Sequence, residues 1–301
     1  MAHHHSHEHG HTHNHGTGNL SFAFWLNTAF ALLEIAGGLY TNSVAILTDA
    51  LHDLGDSLGL GLAYYFHRKS HQKRDEYFTY GYRRFSLLGA LINSIVLLVG
   101  SVVILRETIP RLLHPAATPP NAPGMVLLAV LGLLVNGAAL LRLKKGTSLN
   151  EQVISLHFVE DVAGWAAVLV GSLVMVWVDV PILDPLLSLL LSGYILWNVY
   201  RNLASSFRII LQGTPADVPE GLVREKILAV PGIHDVHDLH LWTMDGEYNV
   251  LTVHAVVKEV LTLPETEAIK RRVKEQLRGM AIQHATIEME AANARCAQED
   301  C

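Results

Sequence analysis

The sequence predicts an α-helical membrane protein with six transmembrane helices, followed by a cytoplasmic α+β domain. Three observations carry this reading. Half of the 301 residues are hydrophobic and only 17% are charged, with the apolar residues gathered into long runs before residue 200. The loops between those runs are alternately rich and poor in Lys and Arg. After Arg208 the pattern shifts to short stretches of helical and strand period.

A membrane-spanning helix needs about 20 predominantly apolar residues. The runs Leu20–Tyr40, Val44–Phe66, Phe85–Ile109, Met125–Leu143, Val153–Val178 and Ile182–Val199 meet that need. Between the second and third runs lie Arg68, Lys69, Lys73, Arg74, Arg83 and Arg84; between the fourth and fifth lie Arg142, Lys144 and Lys145. The intervening loops carry no charge (Thr41–Ser43), a single Arg111 among prolines, or an acidic stretch (Asp179–Pro185). Because Lys and Arg are retained on the cytoplasmic side, both termini are expected in the cytoplasm. The polar first eighteen residues are not a signal peptide. A net charge of −6 without a basic stripe argues against a nucleic-acid partner.

The opening MAHHHSHEHGHTHNHG holds eight of the 18 histidines: His3, His4, His5, His7, His9, His11, His13 and His15. Such a segment cannot bury a core, and residues 1–18 are expected to form a disordered tail. Neutral imidazoles suit zinc, copper and nickel. Glu8, Thr12 and Asn14 interrupt the run, unlike the unbroken run of a purification tag. The tail reads as a weak, multivalent metal gatherer.

The chemistry of the spans centres on two His-x-x-x-Asp pairs, His52/Asp56 in the second and His157/Asp161 in the fifth. A spacing of i, i+4 puts both members of a pair on one helix face. An Asp at the centre of a spanning helix costs roughly 2.5–3.5 kcal/mol, so such groups usually mark a pathway. The two runs point in opposite directions through the bilayer, and two imidazoles with two carboxylates can make a tetrahedral zinc site. The expected function is movement of a metal ion, with lipid as the surroundings and protons competing for the imidazoles. Glu34 and Asp49 are candidates for a proton or ion pathway. Asn93 and Asn136 read as interhelical hydrogen-bond partners. Asp184 before Pro185 reads as a helix N-cap.

The C-terminal region starts near Gly213. VPEGLVREKILAV and LPETEAIKRRVKEQLRGM read as helices, and IHDVHDLHLWTM, EYNVLTVHAVV and HATIEME as strands, the first two joined at Asp245-Gly246. The order αββαβ fits a small α+β sandwich. Its His237, His240 and His254, with Glu288 and Glu290 on one strand face and Cys296 and Cys301 beyond, are compatible with zinc binding. The cysteines, the only two in the chain, are expected as thiols in a cytoplasmic domain.

Several motifs, taken together in their order, resemble the cation diffusion facilitator family of zinc exporters. They are Glu34-x-x-Gly37-Gly38, TNSVAILTDALHDLGD, His157-x-x-x-Asp161, Asp184-Pro185-Leu186-Leu187-Ser188 and His237-Asp238-Leu239-His240-Leu241-Trp242. The resemblance runs from about Leu20 to Glu290. It implies a homodimeric antiporter that exports Zn2+ from the cytoplasm in exchange for protons, by alternating access. On it, His52, Asp56, His157 and Asp161 are the transport ligands, and His52 resembles the zinc-preferring members. It also implies a ferredoxin-like, dimerising C-terminal domain, with regulatory zinc at positions matching His237, His254 and Glu288. The implied organisation is tail 1–18, transport domain 19–208 and regulatory domain 209–301. The chain departs from members with a further metal site between spans two and three, since no His follows His71 there. The short fourth-to-fifth loop favours a bacterial inner membrane.

Two other classes are weaker. A metalloenzyme would need an open metal position, whereas four protein ligands leave none, and His-Glu-x-x-His is missing from the sequence. A membrane metal sensor would need an output module, and the C-terminal region is too small to hold one beside a metal-binding sandwich.

Overall fold

The computed structural model describes residues 16–115, 117, 119–143, 149–258, 261–292 and 296, without the side chains of 16–23, 143 and 149–157. Each apolar run forms one helix: α1 (Gly16–Thr41), α2 (Val44–Ser70), α3 (Phe85–Leu113), α4 (Ala122–Leu143), α5 (Leu149–Trp177) and α6 (Leu183–Ile210). With 22 to 29 residues each, they exceed the ~30 Å hydrocarbon thickness at 1.5 Å per residue. Three helical stretches are also apolar enough to cross a membrane among the described residues: Phe85–Leu113, Ala122–Arg142 and Phe158–Trp177. The acidic residues of α2 lower its hydropathy. Helix α5 begins four residues before its apolar run, so His157 lies more than two turns inside the helix.

The chain divides into two compact units. One holds α1, α2 as far as Leu62, and Ile92–Tyr200; the other holds Ala63–Leu91 and the described residues from Arg201 onward. In the first unit α4 packs along α5 and against α1. Its core gathers Phe30, Ile46, Met125, Ala129, Trp165 and Val168. Trp165 is fully buried and meets Phe30 edge-on at 5.8 Å. Only glycine fits at position 132, because a Cβ there would lie 2.3 Å from the Trp165 indole.

Polar side chains tie the helices of this unit. Asn27 of α1 donates to the Asp53 carbonyl of α2 at 3.1 Å. Ser188 of α6 meets Thr48 of α2 at 2.7 Å and Thr108 of α3 at 2.9 Å. Asn136 instead donates to Gly132 O of its own helix at 3.2 Å, so the interhelical partner expected there is replaced by a local bond. Asp184 also departs from expectation. It sits inside the first turn of α6, and its carboxylate accepts from Ser43 Oγ (2.5 Å), Val44 N (2.9 Å) and Ala45 N (3.2 Å). It therefore caps α2 from another helix, satisfying donors that α2 cannot pair itself.

The second unit contains α7 (Glu220–Leu228), β1 (Ile233–Thr243), β2 (Asn249–Val257), α8 (Leu263–Gln276) and β3 (Ile282–Ala291). The sheet order is β1-β2-β3, antiparallel between β1 and β2 and parallel between β2 and β3. A parallel pair needs a crossover, and α8 supplies it. Helix α8 starts with a capping box from Thr262 and Glu265 and Pro264 in its first turn. The hydrogen bonds from Thr262 hold the Glu265 carboxyl below the usual carboxylate range. Val223, Ile227, Val236, Leu251, Val253 and Val273 form the core between helices and sheet.

Asp184→Ala should lower the thermal midpoint of the detergent-solubilised protein, by a loss of about 2–4 kcal/mol from the removed charge-assisted hydrogen bonds. Asp184→Asn should recover part of it. An unchanged midpoint in the Ala variant would refute the capping role.

Candidate functional site

Helical periodicity builds the first candidate centre. On α2, one turn separates His52 from Asp56, and Nε2 of one lies 3.8 Å from Oδ2 of the other. Both are partly accessible, at 17% and 30%. Asp161 of α5 is buried, and Asp56 and Asp49 lie within its electrostatic reach. Gly164, nearly one turn beyond Asp161, marks where α5 passes α2: a Cβ there would stand 3.6 Å from Asp49 Oδ1. The backbone of His157 is helical, one turn before Asp161, while its side chain lies outside the described residues.

Behind these groups stand more acids than the His-Asp pairs alone predict. Glu34, Asp49 and Asp53 are 0%, 5% and 1% exposed. Asp53 lies within electrostatic reach of Glu34, Asp49, Asp56 and Asp161. Among the described residues, both carboxylate oxygens of Glu34, both of Asp53 and Oδ2 of Asp49 are buried without an aligned hydrogen-bond partner, although the Trp165 indole lies beside Glu34. Buried carboxylates ordinarily find donors, and those that do not call for a cation or a proton. Glu34 lies within electrostatic reach of Asp49 and Asp161, and Asp49 within that of His52. Asp53 joins them although the pair spacing singles out only His52 and Asp56; its place one turn after Asp49 was its one signal.

Strand register builds the second candidate centre. His237 of β1 pairs with His254 of β2, which pairs with Glu288 of β3, a row of three ligand-bearing residues across the sheet. His254 is 8% exposed; its Nδ1 lies 2.9 Å from Glu290 Oε1 and 3.4 Å from Cys296 Sγ. Its Nε2 lies 3.4 Å from both Glu288 Oε2 and Asp238 Oδ2. Glu290 Oε2 is 3.3 Å from His237 Nε2, yet that nitrogen has no aligned hydrogen bond. Ligand atoms of His237, His254, Glu290 and Cys296 all fall within 4.8 Å of one another. Edges of a zinc tetrahedron with 2.0–2.3 Å bonds are about 3.3–3.7 Å, so this N2OS donor set suits the ion in type, and atoms up to 4.8 Å apart would draw together around it.

The expected C-terminal ligands therefore separate. His237, His254, Glu290 and Cys296 come together, and Glu288 touches His254 on its other nitrogen. His240 pairs instead with Asp238 at 2.9 Å and is half exposed. Cys301 and the tail histidines lie outside the described residues. Asp238 was missed because strict alternation sends it to the face opposite His237. The register slips between His237 and His240, and Asp238 takes a φ of +48°. This bulge turns its carboxylate onto His254, a use of bulges common beside functional sites. In the last turn of α2 and just beyond it, His67 and His71 bring their Nε2 atoms to 3.1 Å, and no third ligand group joins them among the described residues.

Comparison with known proteins agrees with this arrangement of helices and sheet. A family model for the cation efflux transmembrane domain matches residues 20–211, and one for the cytoplasmic domain of cation efflux proteins matches 215–292. The chain is 33% identical over 277 residues to a cadmium, cobalt and zinc/H(+)-K(+) antiporter of Bacillus velezensis, covering 91% of this chain and 88% of that relative. It is 32% identical to the zinc transporter ZitB of Pectobacterium atrosepticum, over 100% of this chain and 92% of the relative. To the metal cation efflux system protein CzcD of Cupriavidus metallidurans it is 33% identical, over 94% and 88%. The chain is thus a membrane transporter, not an enzyme, and it belongs to the cation efflux family.

Proposed function

We propose that this protein exports Zn2+ from the cytoplasm in exchange for protons, through a site made by His52, Asp56, His157 and Asp161. The observation that carries the reading is the set of buried carboxylates around the α2 His-Asp pair, several of whose oxygens have no aligned hydrogen-bond partner among the described residues. A dehydrated divalent cation would offset that negative charge, and its relatives are named as zinc transporters and antiporters. In this reading α1–α6 all span the inner membrane with both termini in the cytoplasm. The chain works as a homodimer through a ferredoxin-like C-terminal domain. The tail 1–18 gathers metal, 19–208 transports it and 209–301 regulates.

The exchange follows from competition. Ligands bind metal only after losing their protons, so a site facing an acidic exterior is protonated and the ion leaves. Facing the cytoplasm, the site sheds protons and takes up Zn2+. An imidazole of ordinary pKa near 6.5 switches within that range. Glu34 and Asp49, buried beside the site, serve as its proton and ion pathway. In the C-terminal domain His237, His254, Glu290 and Cys296 would hold a regulatory zinc, with Glu288 beside His254. The ion would strap β2 to β3 and the chain end, stiffening the dimer when cytosolic zinc is high.

In proteoliposomes with the cytoplasmic face outward and an acidic lumen, Zn2+ should accumulate inside and a lumenal dye should report it. Asp56→Asn and Asp161→Asn should each slow uptake by more than the roughly 10–100-fold that loss of an outer-shell partner costs. Uptake at the wild-type rate in either variant, or indifference to the pH gradient, would overturn the mechanism. Independently, Co2+ added to the full chain should give a thiolate-to-metal charge-transfer band that Cys296→Ser abolishes and Cys301→Ser retains. The tail histidines cannot mimic that band, because they carry no sulfur.

A further inference from the structure

The chain connecting α2 to α3 encloses a cavity that neither metal centre uses. Its volume is about 700 Å3, and Lys73, Arg74 and Arg83 line it together with Tyr80, Tyr248 and His284. Neither Asp nor Glu is among its lining residues. We propose that it binds a phosphate ester anion, presented in the membrane by the headgroup of an acidic phospholipid.

The connection itself keeps its nearest acid out of the cavity. The Asp75 carboxylate accepts from Tyr82 OH at 2.6 Å and from the amides of Phe78 (2.8 Å) and Tyr77 (3.0 Å). The Tyr82 hydroxyl, then these amides, hold the Asp75 carboxyl below the usual carboxylate range. Asp75 is thereby committed to folding the loop on itself. Gly81 closes the fold with a φ of +79°, where a Cβ would stand 3.4 Å from Gln72 O. A side chain at that backbone angle is strained.

Ring and ion contacts build the far wall. The Arg83 guanidinium lies 4.1 Å above the Tyr248 ring and 3.4 Å from Asp245 Oδ2. His284 meets the Tyr80 ring edge-on at 5.7 Å. Asp245 offsets one of the three permanent charges, so Lys73 and Arg74 leave the cavity electropositive. A phosphate takes hydrogen bonds from several such cations at once, and Arg suits it by geometry as well as charge. Arg83 and Arg84 directly precede Phe85, where the apolar helix α3 starts. Basic clusters at that position meet the headgroups of acidic lipids, and such pockets hold them. A phosphate in the cavity would join the α2–α3 connection, through Lys73 and Arg74, to the sheet, through Tyr248 and His284.

The test is native mass spectrometry of the full chain in detergent, titrated with phosphatidylglycerol, with phosphatidylcholine of the same acyl chains, and with inorganic phosphate. Phosphatidylglycerol should be retained in preference to phosphatidylcholine. The K73Q/R74Q variant should lose about thirtyfold in phosphatidylglycerol affinity, since each basic residue near an anionic surface contributes about fivefold. Its thermal midpoint should equal that of the wild type. Inorganic phosphate that binds the wild type and not the variant, with phosphatidylglycerol ignored, would keep the pocket and identify its ligand as soluble. Equal retention of the two lipids without phosphate binding, or undiminished binding in the variant, would overturn the proposal. Should the variant misfold, raising salt from about 50 to about 500 mM must release the anion from the wild type; retention would equally overturn it.

Discussion

Carboxylates buried among helices cannot be left to themselves. Glu34, Asp49, Asp53 and Asp161 occupy one region of the helical unit, and each ionised carboxylate removed from water costs several kcal/mol unless a counter-charge compensates it. The surrounding design follows from that constraint. Asn27 and Ser188 tie α2 to α1, α3 and α6, and Asp184 fastens its N-terminus. Gly132 lets the Trp165 ring of α5 bury itself against α4. A helix held from so many sides keeps its acids close together despite their repulsion. A mobile cation or proton then becomes the natural partner, and the proposed transport cycle is the exchange of one for the other.

The two candidate centres solve the same chemical problem with different geometry. In α2 the candidate groups His52 and Asp56 recur at a four-residue spacing along one helix face, and the backbone of α5 repeats that spacing at positions 157 and 161. In the sheet they lie in register across neighbouring strands, with His254 at the middle and donors reaching it from both sides. The first centre is dominated by carboxylates near partly accessible groups, which suits an ion that must leave. The second adds a thiol and a largely buried imidazole, which suits an ion that stays. The cavity at Lys73 and Arg74 belongs to the same C-terminal unit and carries the opposite charge, so the two proposed ligands of that unit are a cation and an anion.

Much of this was legible from residue order. Six apolar runs became six helices, three of them with stretches apolar enough to cross a membrane among the described residues, because coiling lets a long apolar run satisfy its own backbone away from water. The αββαβ order was legible because strand alternation and helical period differ, and because Asp245-Gly246 marks a hairpin turn. The closeness of His52 to Asp56 was legible because a four-residue spacing puts both side chains on one helix face. Less visible were features that depend on which elements become neighbours. Asp184 looked like a cap for its own helix and caps another. Asn136 looked like a bridge and bonds within its helix.

Residue order alone carried the helices, the chain order of helices and strands, and the residue types able to bind a metal, since local periodicity and side-chain chemistry belong to short stretches of chain. Which of those residues meet was settled by the folded arrangement. It selected His237, His254, Glu290 and Cys296, sent His240 elsewhere, and brought in Asp238 through a bulge that no alternation pattern contains. It also gathered Glu34 and Asp53 about Asp49 of α2 and Asp161 of α5. The reason is physical: proximity across helices and strands is set by packing and register, which pit every side chain against distant ones, and no short window of sequence records the outcome.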